Sequence, residues 1–467
     1  MTNLSAPSSS AQQGTDRILA PLSKERRVTM LALTWLIFFT TCGGAYGLEP
    51  LIGAAGPAWA IALILVTPLV WSLPTALMAA ELTTLMPVEG GYYVWIREAF
   101  GPFWAVQQAC WTIACAVVWM AIYPVLLVSY LTFLIPALST SAVSRWLIAV
   151  LVIVLGMALN FQGAREVGRS AEVSAYLVLG IFVLLLMIWL MRGPAPSSIV
   201  EVLGSDLASR HKGALLLGLS IIIFDCSGWE NASTYAGEVD QPQRNYPRAL
   251  GFALLVLVVC YLLPVIAGIT VTTSPAIWSS DAGWPVISQL MGGRWLGGLV
   301  AVGGLVSMWG LFNGQLLYIS RLPYVLACDG WLPGFLGRLS PETGVPRMAI
   351  LCFGVVIAIF AALSFGSLAI IQCLLYAAGL TLEFLALLVL RIRRPDAHRS
   401  FRIPAGWLGL GYVCVAPFAF AALLLFAILR DWRSYPGQLF VVGAVVAFGI
   451  ALYLVRRKVV ETRSASS

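Results

Sequence analysis

The sequence predicts an all-α integral membrane protein with twelve transmembrane helices, and three observations support this fold class. Of the 467 residues, 60% are hydrophobic and 10% are charged, whereas a soluble protein is about half apolar and about one-quarter charged. Twelve apolar runs approach or exceed the ~20 residues that a membrane-spanning helix requires. Lys and Arg are concentrated in alternate connections between these runs. Lipid is therefore the expected solvent of the fold.

The twelve predicted spans follow one another with short connections. They cover residues 29–55, 58–84, 103–134, 144–162, 170–192, 213–238, 247–272, 295–321, 347–364, 367–390, 407–429 and 436–455. Only Ser364, Gly366 and Ser367 mark the turn between spans 9 and 10. A helical loop lying on the surface is expected at 275–294.

The distribution of basic residues predicts which side each connection faces. With a cytoplasmic N-terminus, 21 of the 28 Lys and Arg lie on the cytoplasmic side and 7 lie outside. This excess follows the positive-inside rule, so both termini are expected in the cytoplasm of a multi-pass protein of the cell (plasma or inner) membrane. The net charge of +7 then indicates contact with anionic lipid and no nucleic-acid partner. The basic cluster at 391–394 is interpreted as a headgroup anchor.

Residue counts exclude several kinds of chemistry. The chain has 2 His, His211 and His398, and its 9 Cys show no C-x-x-C spacing, so no metal site and no cofactor are expected. No G-x-x-x-x-G-K-[ST] loop is present, which argues against nucleotide hydrolysis as an energy source. A membrane-embedded enzyme would need His or paired acids at the membrane surface, and neither pattern occurs. The protein is not expected to be an enzyme.

Two spans lose helical continuity near the middle of the membrane. Span 1 contains Gly43, Gly44 and Gly47 within five residues, and span 6 is interrupted around 225–228. Either span alone is compatible with close helix packing. Because they are five spans apart, however, they match corresponding members of two five-helix repeats, and paired broken helices mark transporter binding sites. The N–H groups near 44–47 would hold a substrate carboxylate, and the carbonyls of span 6 would hold an ammonium group.

Five carboxylates within the predicted spans are candidate functional residues, and no span contains Lys. Glu230 is predicted to act in proton coupling or gating, with a structural hydrogen bond as the alternative, and Asp225 to contact a substrate ammonium. Glu49 is a candidate entrance residue, and Glu81 is either a gating residue or a partner of nearby backbone. Glu383 is expected to pair with Arg391 or Arg393. Buried acids without cationic partners must be protonated or must bind a cationic substrate.

Aromatic and small residues near the two interruptions complete the candidate site, although core packing is the alternative for each aromatic. An aromatic face can hold an ammonium group by cation–π attraction. The predicted substrate-binding residues are Gly43, Gly44, Tyr46, Gly47, Trp119, Tyr123, Phe224, Asp225, Ser227 and Trp229. The predicted coupling or gating residues are Glu230, Glu49 and Glu81.

Four segments resemble the amino acid–polyamine–organocation transporters, and within them the polyamine and amino acid permeases typified by plant polyamine uptake transporters. Residues 43–47 (GGAYG) are similar to the unwound segment of helix 1 in that superfamily. Residues 80–102, which include PVEGGYYVW, resemble the end of helix 2 and a re-entrant loop. Residues 229–250, beginning WENASTYAGEV, resemble helix 6 and its following loop, and 327–346 give a weaker match.

The resemblance implies a LeuT-like five-plus-five inverted repeat, with helices 1 and 6 broken and two additional C-terminal helices. Residues 1–27 would form a disordered cytoplasmic tail, 28–391 the transporter core with repeats at about 28–192 and 213–391, 392–455 the extra helices, and 456–467 a second cytoplasmic tail. It implies secondary active transport by alternating access, with Glu230 matching a helix 6 acid that takes part in proton-sensitive substrate handling.

The chain departs from the plant polyamine members in two places. It has Trp119-Met120 where they carry an acid in helix 3, and Asp225 where they carry an amide. The substrate is therefore expected to be an amino acid or a polyamine. Proton symport is preferred; an exchanger, a sodium-coupled permease and a non-transporting membrane sensor are the alternatives.

Overall fold

A computed structural model describes residues 27–193, 212–280, 282–361, 368–430 and 436–466. The predicted N-terminal tail and the predicted turn at 364–367 lie outside the described residues, apart from residue 27. Within the described part the chain is helical, and its only β-type pairings are two isolated bridges, Val28 with Val239 and Glu89 with Tyr235.

The described residues of the first half of the chain form eight α-helices. They are α1 (Met30–Thr41), α2 (Glu49–Ala55), α3 (Pro57–Thr67), α4 (Leu73–Leu85), α5 (Tyr92–Phe100), α6 (Pro102–Leu134), α7 (Ala142–Asn160) and α8 (Ala164–Met191). A π-helical turn at Pro68–Ser72 joins α3 to α4. The helix α5 lies between two long helices and is too short to cross a bilayer, as expected for a re-entrant segment.

Nine further α-helices occur in the described part of the second half. They are α9 (Lys212–Asp225), α10 (Pro242–Val271), α11 (Pro275–Trp278), α12 (Gly283–Gly292), α13 (Arg294–Cys328), α14 (Arg347–Phe360), α15 (Leu368–Arg393), α16 (Gly406–Arg430) and α17 (Pro436–Ser466). Short 3-10 turns occupy Asn231–Thr234 and Ala236–Glu238 between α9 and α10.

Eight helical stretches among the described residues are long and apolar enough to cross a membrane, and three further apolar helices are shorter. The chain is therefore a multi-pass membrane protein, while the count of twelve spans stays a prediction. Several helices extend beyond their predicted spans; for example, α13 continues through Pro323 to Cys328, and α17 continues to Ser466.

The centre of the molecule is α13, which packs against α6, α8, α12 and α1. Glycines permit these close approaches. A Cβ at Gly310 would lie 2.5 Å from the ring of Phe39, and one at Gly156 would lie 2.4 Å from Phe312. This packing holds the interruption between α1 and α2 against the middle of α13.

Candidate functional site

The predicted interruption of span 1 is present, since α1 ends at Thr41 and α2 begins at Glu49. Gly44 and Gly47 adopt φ values of 100° and 98°, in the left-handed region that glycine occupies at little cost. Two backbone carbonyls released by the interruption accept hydrogen bonds from distant helices: Gly43 from Ser307 Oγ at 2.6 Å and Ala45 from Trp284 Nε1 at 2.7 Å. The broken segment is thus held by protein groups on α13 and α12.

The Glu49 carboxylate stabilises this segment from within the chain. It accepts hydrogen bonds from the Gly47 N–H at 2.8 Å, the Tyr130 hydroxyl at 3.2 Å and the Trp284 N–H at 3.4 Å. The Gly47 amide, predicted to bind a substrate carboxylate, is therefore already bonded to a carboxylate of the protein. In this closed arrangement Glu49 links the broken helix to α6 and α12.

The loop after α10 covers this side of the site rather than lying on the surface. Trp278 and Trp284 are fully buried, and their rings meet edge-to-face with centroids 5.4 Å apart. Trp284 also contacts Phe182 on α8, with centroids 5.8 Å apart, and Phe182 packs at 5.0 Å against Tyr46. The predicted binding residue Tyr46 thus belongs to an aromatic cap over the interruption, and its hydroxyl donates to the Val300 carbonyl at 2.8 Å.

The predicted interruption of span 6 is also present, because α9 ends at Asp225 and only 3-10 turns follow before α10. Gly228 has a φ of 102°, and its N–H donates to the Tyr376 hydroxyl at 3.0 Å. The indole of Trp229 is buried and donates to the Cys226 carbonyl at 2.8 Å, while Ser227 Oγ donates back to the Ile223 carbonyl at 2.6 Å. Ser227 and Trp229 therefore stabilise the turn itself.

Asp225 lies where the two interruptions meet. A Cβ built on Gly47 would be 3.9 Å from Asp225 Oδ1, and the Asp225 carbonyl accepts from the Tyr261 hydroxyl at 2.6 Å. Its Oδ2 atom is buried and has no hydrogen-bond partner among the described residues. An acid with an unused acceptor is compatible with the predicted ammonium contact.

A small cavity lies on the other side of the second interruption. The volume open to the centre of a water molecule is about 20 Å³. The cavity therefore has room for roughly one water molecule. Its lining residues come from α5, α6, the segment after α9, α13 and α15: Tyr92, Thr112, Cys115, Trp119, Glu230, Asn231, Tyr318, Tyr376, Gly379, Leu380 and Glu383. We call this space the inner cavity.

Two carboxylates, Glu230 and Glu383, line the inner cavity, and each is 3% exposed. Glu230 Oε2 accepts a hydrogen bond from the Tyr376 hydroxyl at 3.3 Å. Glu383 Oε1 accepts one from Gln108 Nε2 at 3.1 Å, whereas Glu383 Oε2 has no partner within the described residues. None of the described lining residues is Lys, Arg or His, so these residues supply no cation to the pair.

Other polar atoms around the inner cavity are also buried without a hydrogen-bond partner in the described structure, including Asn231 Nδ2, Gln108 Oε1 and Trp119 Nε1. Buried polar groups are normally satisfied. Several unsatisfied groups around one cavity are what a binding site for a polar or charged ligand would present.

Trp119 connects this cavity to the region of Asp225. Its ring meets Tyr376 with centroids 5.5 Å apart and Phe224 with centroids 5.6 Å apart. Tyr123, one turn further along α6, accepts a hydrogen bond from Gln315 at 3.4 Å. Three predicted aromatics, Trp119, Tyr123 and Phe224, therefore lie between the two acidic regions.

The prediction that Glu383 pairs with Arg391 or Arg393 is wrong. Arg391 makes a bidentate ion pair with Glu81, with Nε–Oε1 at 2.7 Å and Nη2–Oε2 at 2.5 Å, and Arg393 donates to a backbone carbonyl. Glu383 lies two turns earlier on α15. Its side chain faces Gln108 and the inner cavity instead. Glu81 is thus located in a buried ionic cluster away from the inner cavity.

Sequence reasoning missed Tyr376 and Gln108 and undervalued Glu383. One signal was available: Tyr376, Gly379 and Glu383 are spaced by three and four residues, which places them on one face of a helix. That face carries a hydroxyl, a gap and a carboxylate within an apolar helix. The pairing of this face with Glu230 arises only from the tertiary packing.

A multi-pass membrane fold with a candidate site between two interrupted helices is typical of a transporter. The family model described as amino acid permease matches residues 28–454. The chain belongs to this amino acid permease family.

Plant proteins are among its similar relatives. A protein of Arabidopsis thaliana named a probable polyamine transporter is 33% identical over 431 residues, covering 91% of this chain and 86% of the relative. The polyamine transporter PUT1 of Oryza sativa subsp. japonica is 35% identical over 405 residues, which cover 86% of this chain and 74% of the relative. An uncharacterized transporter of Legionella pneumophila is 24% identical over 419 residues, covering 84% and 88%.

Proposed function

We propose that this protein is a secondary active transporter that carries polyamines or amino acids across the cell membrane, with both termini cytoplasmic. Transport uses alternating access and is coupled to protons. The observation that supports this proposal most directly is the inner cavity, where Glu230 and Glu383 are buried together without a cationic partner from the described residues. Ionised carboxylates are costly in such surroundings unless a cation or a proton neutralises them.

The same geometry favours a polyamine over an amino acid. An amino acid needs a site for its carboxylate as well as its ammonium group. The Gly47 N–H is occupied by Glu49, and the inner cavity presents two more carboxylates. The names of the plant relatives support this choice.

Alternating access is supported by barriers on both sides of the site. On one side lie Trp284 and its aromatic partners. On the other, Tyr92 at the start of α5 lines the inner cavity, and the Gly90 N–H donates to the Thr234 carbonyl at 2.9 Å. The proposed transport cycle then requires these two barriers to open in turn.

Uptake by proteoliposomes tests the proposal. Purified protein is reconstituted, and uptake of radiolabelled putrescine and arginine is measured under pH gradients of either sign. We expect accumulation of putrescine driven by one of the two gradients, in sodium-free buffer with choline as the replacement cation. No gradient-driven accumulation of either compound would overturn the proposal, and accumulation only with sodium would replace protons by sodium.

A further inference from the structure

We propose that Glu230 and Glu383 act together as a valence filter that requires a total of two positive charges: two protons while the inner cavity is closed, or a diamine once its walls have moved apart to admit one. The carrier would then exchange amines for protons without net charge movement. This inference rests on the proposed function and adds the charge of the substrate and the direction of coupling.

The first step is the absence of a resident countercharge. The ionisable groups that face the pair are Tyr92 from α5, Cys115 from α6, Tyr318 from α13 and Tyr376 from α15. None of these side chains carries positive charge. Two carboxylates with mutual repulsion in a space for about one water cannot both remain ionised while the cavity is closed.

The second step is that the cavity nevertheless offers acceptors for a cation. Glu383 Oε2 is unpartnered within the described residues, and Glu230 accepts a side-chain hydrogen bond from Tyr376 and has further acceptor positions. The rings of Trp119, Tyr318 and Tyr376 form part of the wall and can contact alkyl carbons or an ammonium face. A short aliphatic diamine matches this combination of two carboxylates and an aromatic wall.

The third step concerns the return of the empty carrier. A symporter would return with both carboxylates unneutralised, because no described basic side chain approaches them. The closed structure instead requires two protons in place of the diamine. Amine movement in one direction is therefore accompanied by proton movement in the other, so the charge of this cavity favours exchange over the symport preferred from sequence.

The first experiment measures charge and direction in proteoliposomes. Putrescine uptake should be driven by an acidic interior, should release about two protons per putrescine to the outside, and should not respond to a membrane potential set by potassium and valinomycin. Uptake driven by an acidic exterior, or uptake that follows the potential, would overturn the inference while leaving proton-coupled transport intact. No uptake at all would overturn the proposed function.

The second experiment measures the affinities for putrescine and n-butylamine by calorimetry in detergent. Passive leak of amines across a membrane does not affect this measurement. Glu383→Gln retains the size of the side chain and removes one charge, so putrescine affinity should fall by at least about tenfold while n-butylamine affinity changes by less than about threefold. Glu383→Asp should keep the preference for putrescine. The same substitution on the exposed Glu342, Glu342→Gln, serves as the control.

Equal loss of affinity for both amines in Glu383→Gln would assign Glu383 a structural role and overturn the filter. An unchanged preference for putrescine in this variant would do the same. A folded, monodisperse protein is verified by size-exclusion chromatography before either comparison.

Discussion

Glu81 and Arg391 form a buried bidentate ion pair between α4 and α15, with their side chains 0% and 4% exposed. Arg399 adds a second cation at 3.3 Å from Glu81 Oε1, and the Ile403 N–H donates to Glu81 Oε2 at 2.8 Å. Every oxygen of this carboxylate is therefore engaged, and the cluster ties the connection after α15 to the end of α4.

This arrangement predicts that Glu81→Gln mainly lowers stability. Removing one partner of a buried ion pair leaves an uncompensated charge and costs about 3–5 kcal/mol. The unfolding temperature in detergent should fall clearly, whereas the exposed substitution Glu342→Gln should leave it unchanged. If Glu81→Gln instead keeps its unfolding temperature and alters the pH dependence of uptake, the gating role predicted from sequence is supported.

Glu89 gives the fold a pH dependence outside the membrane-spanning helices. Burial and, to a lesser extent, repulsion from Glu238 raise the pKa of Glu89 from 4.5 to about 8, although Arg321 opposes the shift. The folded protein thus retains a proton that the unfolded chain releases, so this residue's contribution to stability falls as pH rises from about 4.5 to about 8.

In Glu89→Gln this contribution is removed. The unfolding temperature of the wild type relative to the variant should therefore decline across that pH window and level off above it. Parallel pH profiles for the two proteins would contradict the prediction.

The Tyr376 hydroxyl connects Glu230 to the broken segment, since it donates to Glu230 Oε2 at 3.3 Å and accepts from the Gly228 N–H at 3.0 Å. Tyr376→Phe retains the ring and removes both bonds. A hydrogen bond to a charged group contributes about 1.5–3 kcal/mol, so putrescine binding should weaken by roughly tenfold or more, and the unfolding temperature should also fall because the Gly228 N–H loses its acceptor. If putrescine binding is unaltered, the Tyr376 hydroxyl does not contribute to the amine site.

Both helix interruptions, and the position of Glu230 beside the second one, could be predicted from sequence because their signals are local. Glycines within an apolar run weaken a helix wherever the run is packed. An acid in such a run is costly to bury in any orientation, which marks it as a candidate functional residue. Gly44, Gly47 and Gly228 all adopt the expected backbone conformations.

The partners of these residues could not be predicted, because they depend on which helix faces extend toward one another. Tyr376 is 146 residues from Glu230, and Arg391 is 310 residues from Glu81. Sequence proximity favoured Arg391 for Glu383, but a carboxylate two turns away on the same helix faces elsewhere. The same reason explains why the loop at 275–294 is expected on the surface from sequence, whereas Trp284 within it is buried.

Gly228 provides the sharpest test that the two interruptions move as one unit. A Cβ at this position would lie 2.5 Å from the Thr40 carbonyl oxygen, which is rigid backbone at the end of α1. Its left-handed conformation costs a residue with a side chain about 1–2 kcal/mol before that clash is counted. Gly228→Ala should therefore separate the broken segments and abolish amine uptake. Gly180→Ala on α8, where a Cβ meets nothing within 4 Å, should retain uptake and stability. If Gly228→Ala transports like the wild type, the contact between Gly228 and Thr40 does not persist in the transport cycle, and the two segments move independently.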